Sequence, residues 1–154
     1  MNNLQGRIPA GIKLIIGYHL LNIILWTIGQ GGAVIAYDTI ASWGLQDPGD
    51  LIDPVIVQVN RGIGLADMIA IIPLFIIAAT GLWRLKFYGA AASWMAFGWS
   101  VYWPVVFWTS QYFFSQNGIK HQPIQMITII VPAFFGGFAL WGSWYLFRNY
   151  KSLK

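Results

Sequence analysis

Cysteine and glutamate are both missing from this chain of 154 residues. The first absence excludes disulfides, thiolate metal sites, thiol nucleophiles and palmitoylation. The second makes every side-chain carboxylate an aspartate: Asp38, Asp47, Asp50, Asp53 or Asp67. Charge of either sign is scarce, at 9% of residues against roughly 25% in soluble domains. Histidine is confined to His19 and His121, so haem would have few axial ligands to choose from. The chain has no Gly-rich phosphate loop, no His-x-x-x-His pair, no nucleophile elbow and no His–carboxylate cluster able to hold a catalytic metal. No cofactor is expected. Asp47, Asp50 and Asp53 lack the spacing of a calcium loop, and turn and cap roles explain Asp47 and Asp53.

What fills the chain is apolar: 57% of residues are hydrophobic. Four uninterrupted runs cover about 12–36, 62–83, 88–114 and 123–147. Each is long enough to cross a hydrocarbon core of about 30 Å at 1.5 Å per residue. Their continuity, without alternation, argues against a β-barrel. The expected fold is all-α, an integral membrane four-helix bundle of up-down-up-down topology in one transmembrane domain. The first run is longer than a signal-peptide core and carries Tyr18, His19 and Asn22, so it is read as a retained span.

Nine basic residues set the orientation. Arg7, Lys13, Arg84, Lys86, Arg148, Lys151 and Lys154 fall on one side, and Arg61 and Lys120 on the other with Asp38, Asp47, Asp50 and Asp53. The positive-inside bias places both termini in the cytoplasm of a multi-pass cell-membrane protein. Trp43, Trp83, Tyr88, Trp144, Tyr145 and Tyr150 fall at the expected interfaces. The basic residues form no patch suited to nucleic acid. In the external loop 37–61, Asp47-Pro48-Gly49 signals a turn, and Asp53-Pro54 matches an N-cap followed by proline at N1. Helix two is therefore expected to begin near Pro54, ahead of its apolar run.

Two echoes point to a weak duplication of a helical hairpin. Leu25-Trp26-Thr27 returns as Phe107-Trp108-Thr109, and Ile71-Ile72-Pro73-Leu74-Phe75 as Ile130-Val131-Pro132-Ala133-Phe134.

Asp67 is the most informative residue chemically, because an ionised carboxylate within a span costs about 2.5 to 3.5 kcal/mol at the helix centre and calls for a partner or a use. His19, Asn22 and Trp26 share one face of helix one. Counting 1.5 Å per residue sets His19 and Asp67 at different depths, so they should not touch. The residues level with Asp67 are Trp26 and Gln30 of helix one and Trp99, Tyr102 and Trp103 of helix three. Together they would form an aromatic, carboxylate-backed pocket in the outer half, suited to a small apolar or cationic ligand. The competing reading has Tyr102 or an indole N–H donate to Asp67 and lock helix two to helix three. Asn60, on the same face as Gly64 and Asp67, would line the mouth. Ala92, Ala96 and Ser100 form a small-residue stripe on helix three, expected to admit a neighbouring helix closely. Pro73, Pro104 and Pro132 are expected to kink their helices.

The length and four-span plan are superficially similar to the small multidrug-resistance transporters and the emopamil-binding-type proteins. The absence of glutamate removes the intramembrane glutamate the first requires, and the second needs a fuller set of acidic and histidine residues. The functional expectation is therefore binding or transport of a small ligand. The alternatives are an accessory or assembly subunit touching a membrane-complex partner or a second copy through its aromatic surface, and, less favoured, a lipid-modifying enzyme using Asp67.

Overall fold

The structure, a computed structural model, describes residues 8–153. Arg7 and Lys154, both used as orientation signals, lie outside that range. Every regular element among the described residues is helical. The long rods are α1 (Ala10–Ser42), α2 (Pro54–Trp83), α3 (Phe87–Gln116) and α4 (Met126–Asn149), followed by a 3₁₀ turn at Tyr150–Ser152. α1, α2 and α4 are long and apolar enough to cross a membrane.

The helix ends have identifiable causes. The Asp53 carboxylate accepts from Val55 N–H at 2.9 Å and Pro54 occupies the first turn, so α2 starts at Pro54, ahead of its apolar run. α4 starts at Met126 instead of the expected Pro123. The chain stays extended to Gln125, which exchanges capping bonds with Thr128. α2 ends in a Schellman turn: Lys86 N–H donates to Gly81 O, and Leu85 N–H to Leu82 O. Leu85 holds the left-handed position at φ 52° that usually falls to glycine. α1 continues to Ser42, but Ala36 breaks it at φ −144°, ψ 63°. That break coincides with the end of the first apolar run.

Consecutive rods pack against each other. A Cβ on Gly81 would come 2.4 Å from Gly89 Cα, so these glycines let α2 and α3 meet backbone to backbone at their turn. Ala92, Ala96 and Ser100 are all buried, consistent with their small-residue stripe. α3 and α4 are joined by two indole bonds, Trp94 Nε1–H to Ser143 O at 3.2 Å and Trp108 Nε1–H to Thr128 O at 3.0 Å. Pro132 explains the second: lacking an N–H, it leaves the carbonyl four residues back, Thr128, without a helical donor. α1 touches α4 toward the end that carries both chain ends, where Tyr18 stacks on Phe138 at 4.6 Å and donates to Phe135 O at 3.3 Å.

The main core therefore lies in that half. It comprises Ile12, Ile15, Ile16, Tyr18, Phe75, Leu82, Ala90, Ala96, Phe97, Ala139 and Leu146. The outer half has a smaller cluster, Ala33, Tyr37 and Ile52. Over it the two outer loops join: Asp53 N–H donates to Lys120 O at 2.7 Å, and Lys120 Nζ to Asp50 O.

Candidate functional site

Two widened turns face each other in the outer half. The segments Thr27–Gly31 of α1 and Asp67–Ile71 of α2 are π-helical. In α2 the cause is Pro73, whose ring would collide with the Ile69 carbonyl four residues back. The chain widens just before it, and Ile72 N–H reaches five residues back to Asp67 O. In α1 the segment is flanked and filled by Gly29, Gly31 and Gly32. The backbones meet here: a Cβ on Gly64 would lie 2.5 Å from Gln30 O, and one on Gly31 2.6 Å from Met68 Sδ.

Side chains from neighbouring segments add hydrogen bonds to these irregular turns. Gln46 of the outer loop donates its amide to Gly29 O at 3.4 Å. Arg61 donates to Val34 O at 3.1 Å, next to the break at Ala36. Asn60 donates to the Tyr37 hydroxyl at 3.3 Å. Asn60 is thus committed to binding α1 and α2 together above the π turns.

Asp67 opens the α2 π turn and is 3% exposed. It lies thirteen residues inside α2 as built from Pro54. The Trp99 side chain of α3 approaches its carboxyl, and its Oδ2 is buried without a hydrogen-bond partner. Trp26 stacks on Trp99 from the α1 side, ring centres 6.1 Å apart, and Trp103 meets Trp99 edge to face at 5.1 Å. The three indoles thus form a row with Trp99 in the middle.

An open groove of about 530 Å³ runs along the far side of this row, lined by Ile63, Ile71, Gly98, Trp99, Tyr102 and Trp103. Asp67 falls midway between Ile63 and Ile71 on α2, but Trp99 stands between its carboxyl and the groove. Tyr102 is 65% exposed on the outer wall and does not reach Asp67. Gln30 is buried on α1 beside Gly64, away from the groove lining. The structure therefore gathers Asp67, Trp26, Trp99 and Trp103, places Tyr102 on the rim, and sets Gln30 behind the site. Ile63, Ile71 and Gly98 carried no signal in the sequence beyond being apolar or small.

His19 and Asn22 belong to the other half. His19 is fully buried, with Nε2 2.9 Å from Ser93 Oγ. Ser93 gives its only proton to Gly89 O at 2.7 Å, so Nε2–H of His19 is the donor. His19 Nδ1 is left a buried acceptor without a partner, among Phe75, Phe97 and Tyr18. Asn22 donates to Tyr18 O at 2.8 Å. Gln111 of α3 is also buried, with Oε1 unpartnered. No group of three potential metal ligands occurs among the described residues.

No protein-family model matches the chain, and no curated protein or solved structure is significantly similar to it.

Proposed function

We propose that the chain is a four-span, up-down-up-down protein of the cell membrane with both termini cytoplasmic, and that it binds or passes a small apolar or cationic ligand through the groove at Trp99. The sidedness of the basic residues and the antiparallel packing of the four rods support the topology. One observation carries the functional reading: Asp67 is buried with an unpartnered carboxyl oxygen, one indole behind an open aromatic groove. A buried polar atom without a partner is costly, and a purely structural position is served as well by an apolar side chain.

A ligand with an apolar body and a cationic head satisfies both features. Its body lies against Ile63, Ile71 and Tyr102, and its charge meets the faces of Trp99 and Trp103. Rotation of Trp99 away from Asp67 then exposes the carboxylate as counter-ion. The test is thermal stabilisation of the detergent-solubilised protein by a series of lipophilic quaternary ammonium ions. Stabilisation is expected for wild type and is lost in Asp67→Asn and Trp99→Ala. Equal shifts in all three proteins would remove Asp67 and Trp99 as a site.

The accessory-subunit reading draws on α4. Only 11% of its most apolar stretch is buried, against 33% for α1 and α2, and Met126, Ile127, Ile130 and Phe134 face outward. A partner helix would cover that face. Solubilised protein migrating as a single 17.3 kDa chain with its detergent counts against this reading, and stable co-purification of a partner supports it.

A further inference from the structure

At the end of the molecule that carries both chain ends, a second groove of about 330 Å³ separates the start of α3 from the end of α4. Its walls are Phe87, Trp94, Phe147 and Tyr150. Phe87 meets Trp94 edge to face at 6.3 Å, and Phe147 lies 6.4 Å from Tyr150, so each helix contributes one aromatic pair. The Trp94 bond to Ser143 O pins the two walls together deeper in the bundle.

Three of the four wall residues have a cation as their sequence neighbour: Lys86 precedes Phe87, Arg148 follows Phe147 and Lys151 follows Tyr150. All three cations are exposed. Each cation is therefore bonded directly to a wall residue, about 3.8 Å away at Cα, at the same end of the molecule as the groove. Arg148 rests over the Trp144 ring at 5.4 Å, which leaves its N–H edge for an acceptor. No carboxylate side chain offsets them: four of the five aspartates lie between Asp38 and Asp53, and Asp67 is in the outer half. The sequence disperses these cations, and the groove joins the aromatic residues they flank.

An apolar trough flanked in sequence by three exposed cations, at the end of a helical bundle, is complementary to one class of molecule. We propose that this groove binds an anionic phospholipid, with an acyl chain along the aromatic walls and the phosphodiester held among Lys86, Arg148 and Lys151. Aromatic and basic residues at helix ends are common interfacial anchors. Here they also frame a space between two helices that one lipid would fill. The site is independent of Asp67 and of the outer groove.

The experiment is native mass spectrometry of the full chain with equimolar phosphatidylglycerol and phosphatidylcholine, paired with thermal stabilisation by each lipid. Phosphatidylglycerol is expected to be retained selectively, and Lys86→Gln, Arg148→Gln and Lys151→Gln each to weaken that selectivity about fivefold. Lys13→Gln, at the same end on α1, is expected to leave it unchanged, and glycerol 3-phosphate to stabilise nothing. Equal retention of the two lipids overturns the proposal. So does an equal loss in Lys13→Gln, which would mark a general surface-charge effect, or equal stabilisation by glycerol 3-phosphate, which would remove the groove from recognition.

Discussion

The indole of Trp108 donates at 3.0 Å to the carbonyl of Thr128, the one backbone acceptor in α4 that Pro132 strips of its helical donor. A proline defect in one helix is thus repaired by a side chain from the next. Trp108→Phe is expected to destabilise the protein by about 1 kcal/mol. In a Pro132→Ala background the carbonyl regains its own donor, and the same change should cost measurably less. A double-mutant cycle by denaturant titration checks the coupling, and strict additivity would show that the bond carries no free energy.

Two neighbouring glycines of α2 should respond with opposite signs. A methyl at Gly64 would meet Gln30 O at 2.5 Å, while one at Gly62 meets nothing within 4 Å. Gly62→Ala is expected to stabilise by up to about 1 kcal/mol through helix propensity. Gly64→Ala is expected to destabilise, because overpacking costs typically 1–3 kcal/mol and the obstacle is backbone. Thermal melts in one detergent suffice, and equal shifts would mean that α1 and α2 do not meet at these π turns.

His19 and Ser93 join α1 to α3 through a fully buried bond. Ser93→Ala leaves Nε2–H of His19 as unpartnered as its Nδ1 already is, and should cost about 1 kcal/mol. Adding His19→Phe removes both orphaned nitrogens and is expected to recover part of that loss. A further fall in melting temperature in the double variant would show that the ring's shape matters more than its hydrogen bond.

Acid dependence should come from the outer loops. Burial raises the pKa of Asp47, and the charge of His121 opposes that rise. A carboxyl whose folded pKa exceeds its unfolded value stabilises most below the unfolded pKa, near 3.9, and loses that contribution as pH climbs through the folded value. Asp47→Asn cannot ionise, so its melting temperature should gain on wild type as pH rises across this window and then level off. A constant difference at every pH would mean that Asp47 is solvated like an ordinary surface carboxylate.

Depth along each rod was readable from residue counting; direction around it was not. Counting separated His19 from Asp67, and Asp53-Pro54 marked the start of α2. Tyr102 and Trp99 share a level with Asp67, yet Trp99 turns inward to the carboxyl and Tyr102 outward. In spans that are apolar all round, no polar face tells core from lipid. The π turns were equally hidden, since an inserted residue in an apolar run changes no composition; Pro73 and the glycines around Gln30 were their only trace. The second groove joins Phe87 to Phe147 and Tyr150, some sixty positions later, a proximity that only the folded chain creates.

The facing π turns also act as a pair of phase shifters. Each inserts about one residue beyond a regular helix, which advances the face presented above it by about 100° relative to the face below. A slip in one helix alone would turn its outer segment out of register with its neighbour. Because Thr27–Gly31 and Asp67–Ile71 lie side by side, both outer segments slip together. The molecule thereby presents one set of faces to its tight inner half and another to the aromatic groove, and deleting a single residue from either turn would dial only one helix back.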